Sequence, residues 1–161
     1  MSGLPPLIEE DVRLLDGALD ELLRRSEAAA VLIIDKGGPL INQRGAVDNF
    51  DTTTIAALAA GSFCATQGIA ERVGETNFSS IYQQGERHSL LLCNIDDNVL
   101  LVIIFNAGIS VGAIKYFAAA AIGQISSQLQ KARQRSPRQS VDMVSMNVVD
   151  ASNVFVRKPR A

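Results

Sequence analysis

Ala29-Ala30-Val31-Leu32-Ile33-Ile34, followed by Asp35-Lys36-Gly37-Gly38-Pro39 and then Leu40–Gln43, is the stretch on which the fold turns. A short apolar run with Val31, Ile33 and Ile34 β-branched, ended by a Gly-Gly-Pro cluster, reads as the first arm of a β-hairpin. That arm has no polar alternation. Both of its faces must therefore be covered, which requires helices on both sides of the sheet.

On the N-terminal side, Ile8, Val12, Leu15, Leu19 and Leu22 recur every three or four positions and predict an amphipathic helix over Leu7–Glu27, with Pro5 and Pro6 ahead of it. Beyond the hairpin, Asp51 is placed to cap a helix that starts at Thr52, runs to about Val73 and ends at Gly74. Asn77–Tyr82, His88–Asn94 and Val99–Phe105 read as strands, separated by the bend Gly85-Glu86-Arg87 and the tight turn Asp96-Asp97-Asn98. Ser110 opens a last helix whose stripe is Val111, Ile114, Ala118, Ala121, Ile125 and Leu129, with Lys131, Arg133 and Arg135 near its C-terminal end. The order is α-β-β-α-β-β-β-α, an α/β chain of the α+β sandwich kind, with the domain over 7–134.

Residues 135–161 shift to Pro, Ser, Gln, Asn and Arg and form a C-terminal tail. Two readings stand for it: disorder in the isolated protein, or a segment that folds onto a partner or its own dimer. Val141, Val144, Met146, Val148, Val149, Val154 and Phe155 are more apolar than a solvated linker requires.

With 161 residues, 47% of them apolar, the chain can fill one core. Its 15 basic and 17 acidic residues give a net charge of −2, which builds no field for a polyanion, so nucleic acid is not expected as a partner. The apolar runs Ala28–Ile34 and Val99–Phe105 fall far short of the roughly 20 residues that span a bilayer, and Met1–Asp11 has no secretion signal. A cytoplasmic protein without direct membrane insertion is expected. Cys64 and Cys93, far apart and in no metal-like spacing, are expected to be two buried thiols.

Nothing in the residues assembles a catalytic centre. His88 is the single histidine and falls inside a predicted strand. No Gly-x-x-x-x-Gly-Lys loop for phosphate is present, and Gly37-Gly38-Pro39 is a hairpin turn. Asp96 and Asp97 sit beside Asn98 between apolar strands, which suits a turn better than general acid–base work. No metal or cofactor site is expected.

The middle helix is the informative element. Turning it by about 100° per residue gives two faces. One carries Ile55, Leu58, Ile69 and Val73 and is expected on the sheet; nearly opposite fall Ala57, Ala60, Gly61, Cys64, Gly68 and Glu71. Each glycine within a helix costs roughly 1 kcal/mol relative to alanine, so Gly61 and Gly68 point to a close approach by another molecule. The Asn77–Tyr82 strand, with Phe78, Ser80 and Tyr82, suits the edge of a sheet, whose free amides and carbonyls invite a second chain. A two-fold related copy would satisfy both.

Three stretches in this order resemble the roadblock family and, within it, the MglB group: Ala30-Val31-Leu32-Ile33-Ile34-Asp35-Lys36-Gly37-Gly38, Ala59-Ala60-Gly61-Ser62-Phe63-Cys64-Ala65-Thr66-Gln67, and Gln84-Gly85-Glu86-Arg87. The resemblance spans about Leu7 to Leu129. It implies a roadblock/profilin-like fold: a five-stranded antiparallel sheet with the middle helix on one face and the two terminal helices on the other. It also implies a homodimer joined at the edge strand and middle helix, placing Ala57, Gly61, Phe78, Ser80 and Tyr82 at the interface. The paired middle helices would meet a Ras-like small GTPase of the MglA type through Cys64, Gln67, Gly68 and Glu71.

By the same resemblance the protein is a regulator rather than an enzyme. It would stimulate GTP hydrolysis by repositioning the switch regions of the GTPase, without an arginine finger, in a cell polarity or motility pathway and concentrated at a cell pole. Arg87 is then expected as a paired charge at the bend. Phe63 and Cys64 stand where smaller residues are usual in the family. The alternative is a roadblock scaffold subunit without regulatory effect; a small-molecule sensor would need a pocket of convergent polar groups, and no residues are set aside for one.

Overall fold

The computed structural model describes residues 3–135, so the tail, apart from Arg135, lies outside the described residues. Helix α1 (Glu9–Ser26) leads into the hairpin β1 (Ala30–Asp35) and β2 (Leu40–Gly45), then a 3-10 turn at Val47–Asn49 and helix α2 (Thr52–Arg72). Strands β3 (Ser80–Gln83), β4 (His88–Asn94) and β5 (Val99–Asn106) and helix α3 (Val111–Gln134) complete the order expected from the sequence. The five strands form one antiparallel sheet in the order β2-β1-β5-β4-β3.

The unbroken apolar strands occupy the middle of that sheet because each feeds two cores. Val31 and Ile33 of β1, with Val99, Leu101, Ile103 and Phe105 of β5, pack under α1 and α3. The alternate residues Ala30, Leu32, Ile34, Leu100, Val102 and Ile104 pack under α2. A one-residue slip would exchange the two sets, so the register is strongly specified. Gly45 closes the hairpin's far end at φ +99, where an added Cβ would lie 2.5 Å from the Ala29 carbonyl oxygen. Only glycine fits there.

Three local expectations are corrected. In α1, Leu15, Leu19 and Leu22 are buried, but Val12 is 41% exposed and Asp11 turns inward instead. Asp11 Oδ2 accepts the Ile8 amide at 2.8 Å, capping the helix, and the carboxylate accepts from Gln128 Nε2 at 2.7 Å and both Arg135 guanidinium nitrogens at 2.7 and 2.8 Å. These four bonds satisfy a charge that could not otherwise be buried.

The strand expected over Asn77–Tyr82 is shorter and later. Ser80 pairs with Cys93, and β4 ends one residue beyond, so Asn77 and Phe78 have no ladder left to join. In the β4–β5 turn, Asp96 Oδ1 accepts from the amides of Asn98 and Val99 at 2.8 and 3.0 Å, the role the sequence assigned it. Ser110 stands at the N-cap of α3 but makes no side-chain capping bond.

The two sheet edges differ. On β2, Asn42 donates to Asp16 of α1 at 2.8 Å and Arg44 pairs with the same carboxylate at 2.6 Å. A charged edge tied down by a helix discourages pairing with another chain. The β3 edge, Ser80-Ile81-Tyr82-Gln83, carries no charge.

Candidate functional site

The surface of interest begins at Asp51. Its carboxylate accepts the Thr54 amide at 3.2 Å and the Thr54 hydroxyl at 2.7 Å, which holds its pKa below the usual carboxylate range and fixes the start of α2. At the other end Gly74 takes φ +82 and the Glu75 amide donates back to the Ala70 carbonyl, closing the helix as its sequence implied.

Between these ends, the face of α2 expected on the sheet is largely turned outward, while the face expected outside stays there except for Ala60. Leu58, Ile69 and Val73, expected on the sheet, are 69%, 57% and 64% exposed; of that set only Ile55 packs against the core. The residues that meet the sheet are Ala56, Ala59, Ala60 and Phe63, with Ala70 buried further along the helix, which places Ala60 inside rather than on the outer face. The reason is steric: α2 crosses two central strands already rich in Leu, Val and Ile, and alanine lets the helix axis approach while Phe63 fills the remaining space. Five small or aromatic residues at helical spacing were the signal for this face. The rule that larger apolar side chains go inside concealed it.

Phe63, unusual for the resemblance, is thus a core anchor, 3% exposed, with Lys36 Nζ lying 5.0 Å from its ring centroid. Partial burial lowers the pKa of Lys36 from its ordinary value.

Leu58, Ala65 and Ile69 follow one another along the outer face of α2, with Gly61 and Gly68 beside them. A Cβ added at either glycine would meet nothing within 4 Å, so no group among the described residues demands a glycine there. The flank toward β3 is a shallow apolar groove lined by Ile55, Leu58, Ala59, Ser62, Gln83 and Leu90, and it runs onto the uncharged β3 edge. The opposite flank faces the β1–β2 turn, where a Cβ at Gly38 would stand 3.8 Å from Ala57 Cα.

The sequence-derived residues therefore divide. Ser80 and Tyr82 lie on the free edge strand and Phe78 just ahead of it, outside the ladder; Tyr82 is stacked on Phe105 with ring centroids 6.2 Å apart. Ala57 and Gly61 are exposed, but Ala57 stands on the flank away from β3. Cys64 and Glu71 are exposed and Gln67 and Gly68 half-buried, all on the hairpin flank or the outer face. The Gln67 Nε2 group is buried and has no acceptor within the described chain. Leu58, Ile69 and Val73 are the surface residues that the sequence reading missed.

The remaining candidate groups have structural roles or stand free. Cys64 is exposed, against the expectation of two buried thiols; Cys93 is buried, and burial pushes its thiol up to about 11. His88 lies at the exposed start of β4, edge-on to Phe50 at 5.5 Å. Arg87 makes no ion pair among the described residues, so the paired-charge role is not found. The bend itself is fixed by Gly85, where a Cβ would collide with the His88 carbonyl oxygen. Among the described residues no cluster of His, Cys, Asp and Glu could hold a metal. By length and composition alone α2 could cross a bilayer, yet its alanine face is committed to the sheet.

Comparison with known proteins agrees with this geometry. The family model for the Roadblock/LC7 domain matches residues 14–105, more than half of the chain. MglB of Myxococcus xanthus superposes with a TM-score of 0.75 at 28% identity, covering 81% of this chain and 98% of that one. The gliding protein MglB from Thermus thermophilus gives 0.75 at 26% identity, covering 81% and 99%. A structure described as MglB with tetrameric arrangement gives 0.76 at 26%, covering 82% and 99%. A search of curated proteins finds no match. A family match over more than half of the chain, joined to likeness to three MglB structures over about four-fifths of it, makes this chain a member of the Roadblock/LC7 family with an MglB-like structure.

Proposed function

We propose that this protein is a homodimeric regulator of a Ras-like small GTPase of the MglA type. Two copies join at the β3 edge, bringing their α2 helices side by side, and the composite α2 layer receives the GTPase. The observation that carries this reading is the exposed apolar face of α2, Leu58, Ile69 and Val73, of which Leu58 lines the groove that reaches Gln83 on the uncharged free strand edge. Exposed apolar residues continuous with an open edge are the usual mark of an interface.

Within the paired layer, Leu58, Ile69 and Val73 sit nearest the partner copy with Phe78, Ser80 and Tyr82, and Gly61 lets the helices approach. Cys64, Gln67, Gly68 and Glu71 stay on the other side, open to the GTPase. The dimer supplies no arginine finger and stimulates hydrolysis by repositioning the switch regions of the GTPase. It acts in the cytoplasm, concentrated at a cell pole.

The test is GTP turnover by the Ras-like GTPase encoded nearest this gene, with and without the purified protein. A clear increase supports the regulator; binding with unchanged hydrolysis and nucleotide release would leave a scaffold. For the dimer, Leu58→Asp places a charge on the apolar face without touching the core. It is expected to weaken self-association by about 30-fold or more, roughly 2 kcal/mol, read by sedimentation across a dilution series. An unchanged dimer would remove α2 from the interface.

A further inference from the structure

Helix α1 carries a charge pattern that its own domain leaves largely unused. Gly17 stands exposed at the middle of its outward face, with nothing within 4 Å of an added Cβ. Glycine inside a helix is unfavourable relative to alanine, and no group among the described residues requires it here.

Around Gly17 the charges stand in opposite pairs. Arg13 lies four residues before it and Glu21 four after; Glu10 lies seven before and Arg24 seven after; Glu9 lies eight before and Arg25 eight after. At 3.6 residues per turn, Glu10, Arg13, Glu21 and Arg24 all fall within roughly 40° of the line through Gly17 along the helix. The helix dipole accounts for acids in the first turn and bases in the last. It does not account for Arg13 and Glu21, which are set the other way round.

Within the chain these groups are only partly matched. Glu21 accepts from both Arg24 and Arg25, at 2.7 and 2.5 Å, so two guanidinium groups share one carboxylate. Arg13, Glu9 and Glu10 make no ion pair among the described residues. Asp16 and Asp20, on the flank toward β2, are held by Arg44 at 2.6 and 3.5 Å and stand apart from this line.

We propose that α1 is a second interface between copies of this chain, in which two α1 helices cross antiparallel about a two-fold axis at Gly17. Such an axis sets each residue against the one equally far on the other side of Gly17. Arg13 therefore meets Glu21 of the second copy and Glu10 meets its Arg24, each contact occurring twice. A parallel pair would set Arg13 on Arg13 and Glu21 on Glu21, so charge selects the antiparallel arrangement. The glycine lets the axes approach to about 8 Å, and a shallow crossing keeps the outer pairs within reach. Exposed pairs of this kind are individually weak and are screened by salt, which makes the contact weak and salt-sensitive. It goes beyond the α2 reading and does not rest on it: α1 is tied to β2, at the opposite edge of the sheet from β3, so the contact would join one dimer to another.

The test is sedimentation at low salt of the full-length protein carrying Leu58→Asp, which opens the α2 contact. Added to it, Arg13→Glu or Glu21→Arg is expected to weaken the remaining self-association by about tenfold, because each sets like charges together at two places. Circular dichroism reports that α1 keeps its helix. Mixed in equal amounts, the two variants should associate again, since each presents to the other the charge that it lacks itself. Single variants that associate as before, a mixture that does not recover, or a Leu58→Asp protein that stays monomeric at low salt would each overturn the proposal. High salt screens the α1 contact, so the comparison of wild type with Leu58→Asp there reads the α2 interface alone and keeps its failure distinct from this one.

Discussion

Arg135→Ala is expected to lower the stability of the folded chain by about 3 kcal/mol, because it leaves the fully buried Asp11 carboxylate without its counter-charge. The Ile8 amide and Gln128 would still donate to Asp11, which keeps the loss from being larger. Asp11→Ala should cost less, about 2 kcal/mol, since the Arg135 left behind reaches solvent. Denaturant titration of both variants and the double variant isolates the pair.

The pH dependence gives an independent reading. The Arg135 guanidinium holds the Asp11 carboxyl well below its ordinary value of 3.8. A depressed folded-state pKa contributes stability that is complete above the unfolded value and is lost as pH falls below it toward the folded one. The gap between wild type and Arg135→Ala should therefore be constant at neutral pH and shrink once the pH drops below about 4. A gap that does not change with pH would mean that Arg135 acts by packing rather than charge.

Gly68→Arg is expected to separate binding from folding. The position opens outward with nothing within 4 Å of a Cβ, and arginine is a better helix former than glycine by about 1 kcal/mol. Thermal unfolding should therefore move slightly upward. If the GTPase approaches the α2 layer at this point, the long side chain excludes it, and stimulation should fall by about 100-fold or more, near 3 kcal/mol. A dimer that persists in sedimentation places the loss at the GTPase contact. Undiminished stimulation would move that contact elsewhere.

The strands and helix ends were legible because their signals are local. Asp51, Gly74 and the Asp96-Asp97-Asn98 turn act within a few residues of themselves, and the unbroken Ala30–Ile34 run required cover on both sides wherever it sat. The alignment of Cys64, Gly68 and Glu71 also follows from helical geometry alone.

The order of elements, the two-sided sheet and the length of α2 can be read from the residues in chain order. Which residues of α2 met the sheet was settled by packing, which left Leu58, Ile69 and Val73 outside beside the small-residue face and took Ala60 inward. Burial is set by the shape of the surface that receives the helix as well as by hydrophobicity, and a sheet already full of Leu, Val and Ile accepts alanines and one Phe63 while leaving Leu58, Ile69 and Val73 in the open. It likewise turned Asp11 inward and Val12 outward, because the cation that makes burial of Asp11 tolerable arrives from Arg135, at the far end of the domain. No local pattern can announce a partner that distant in sequence.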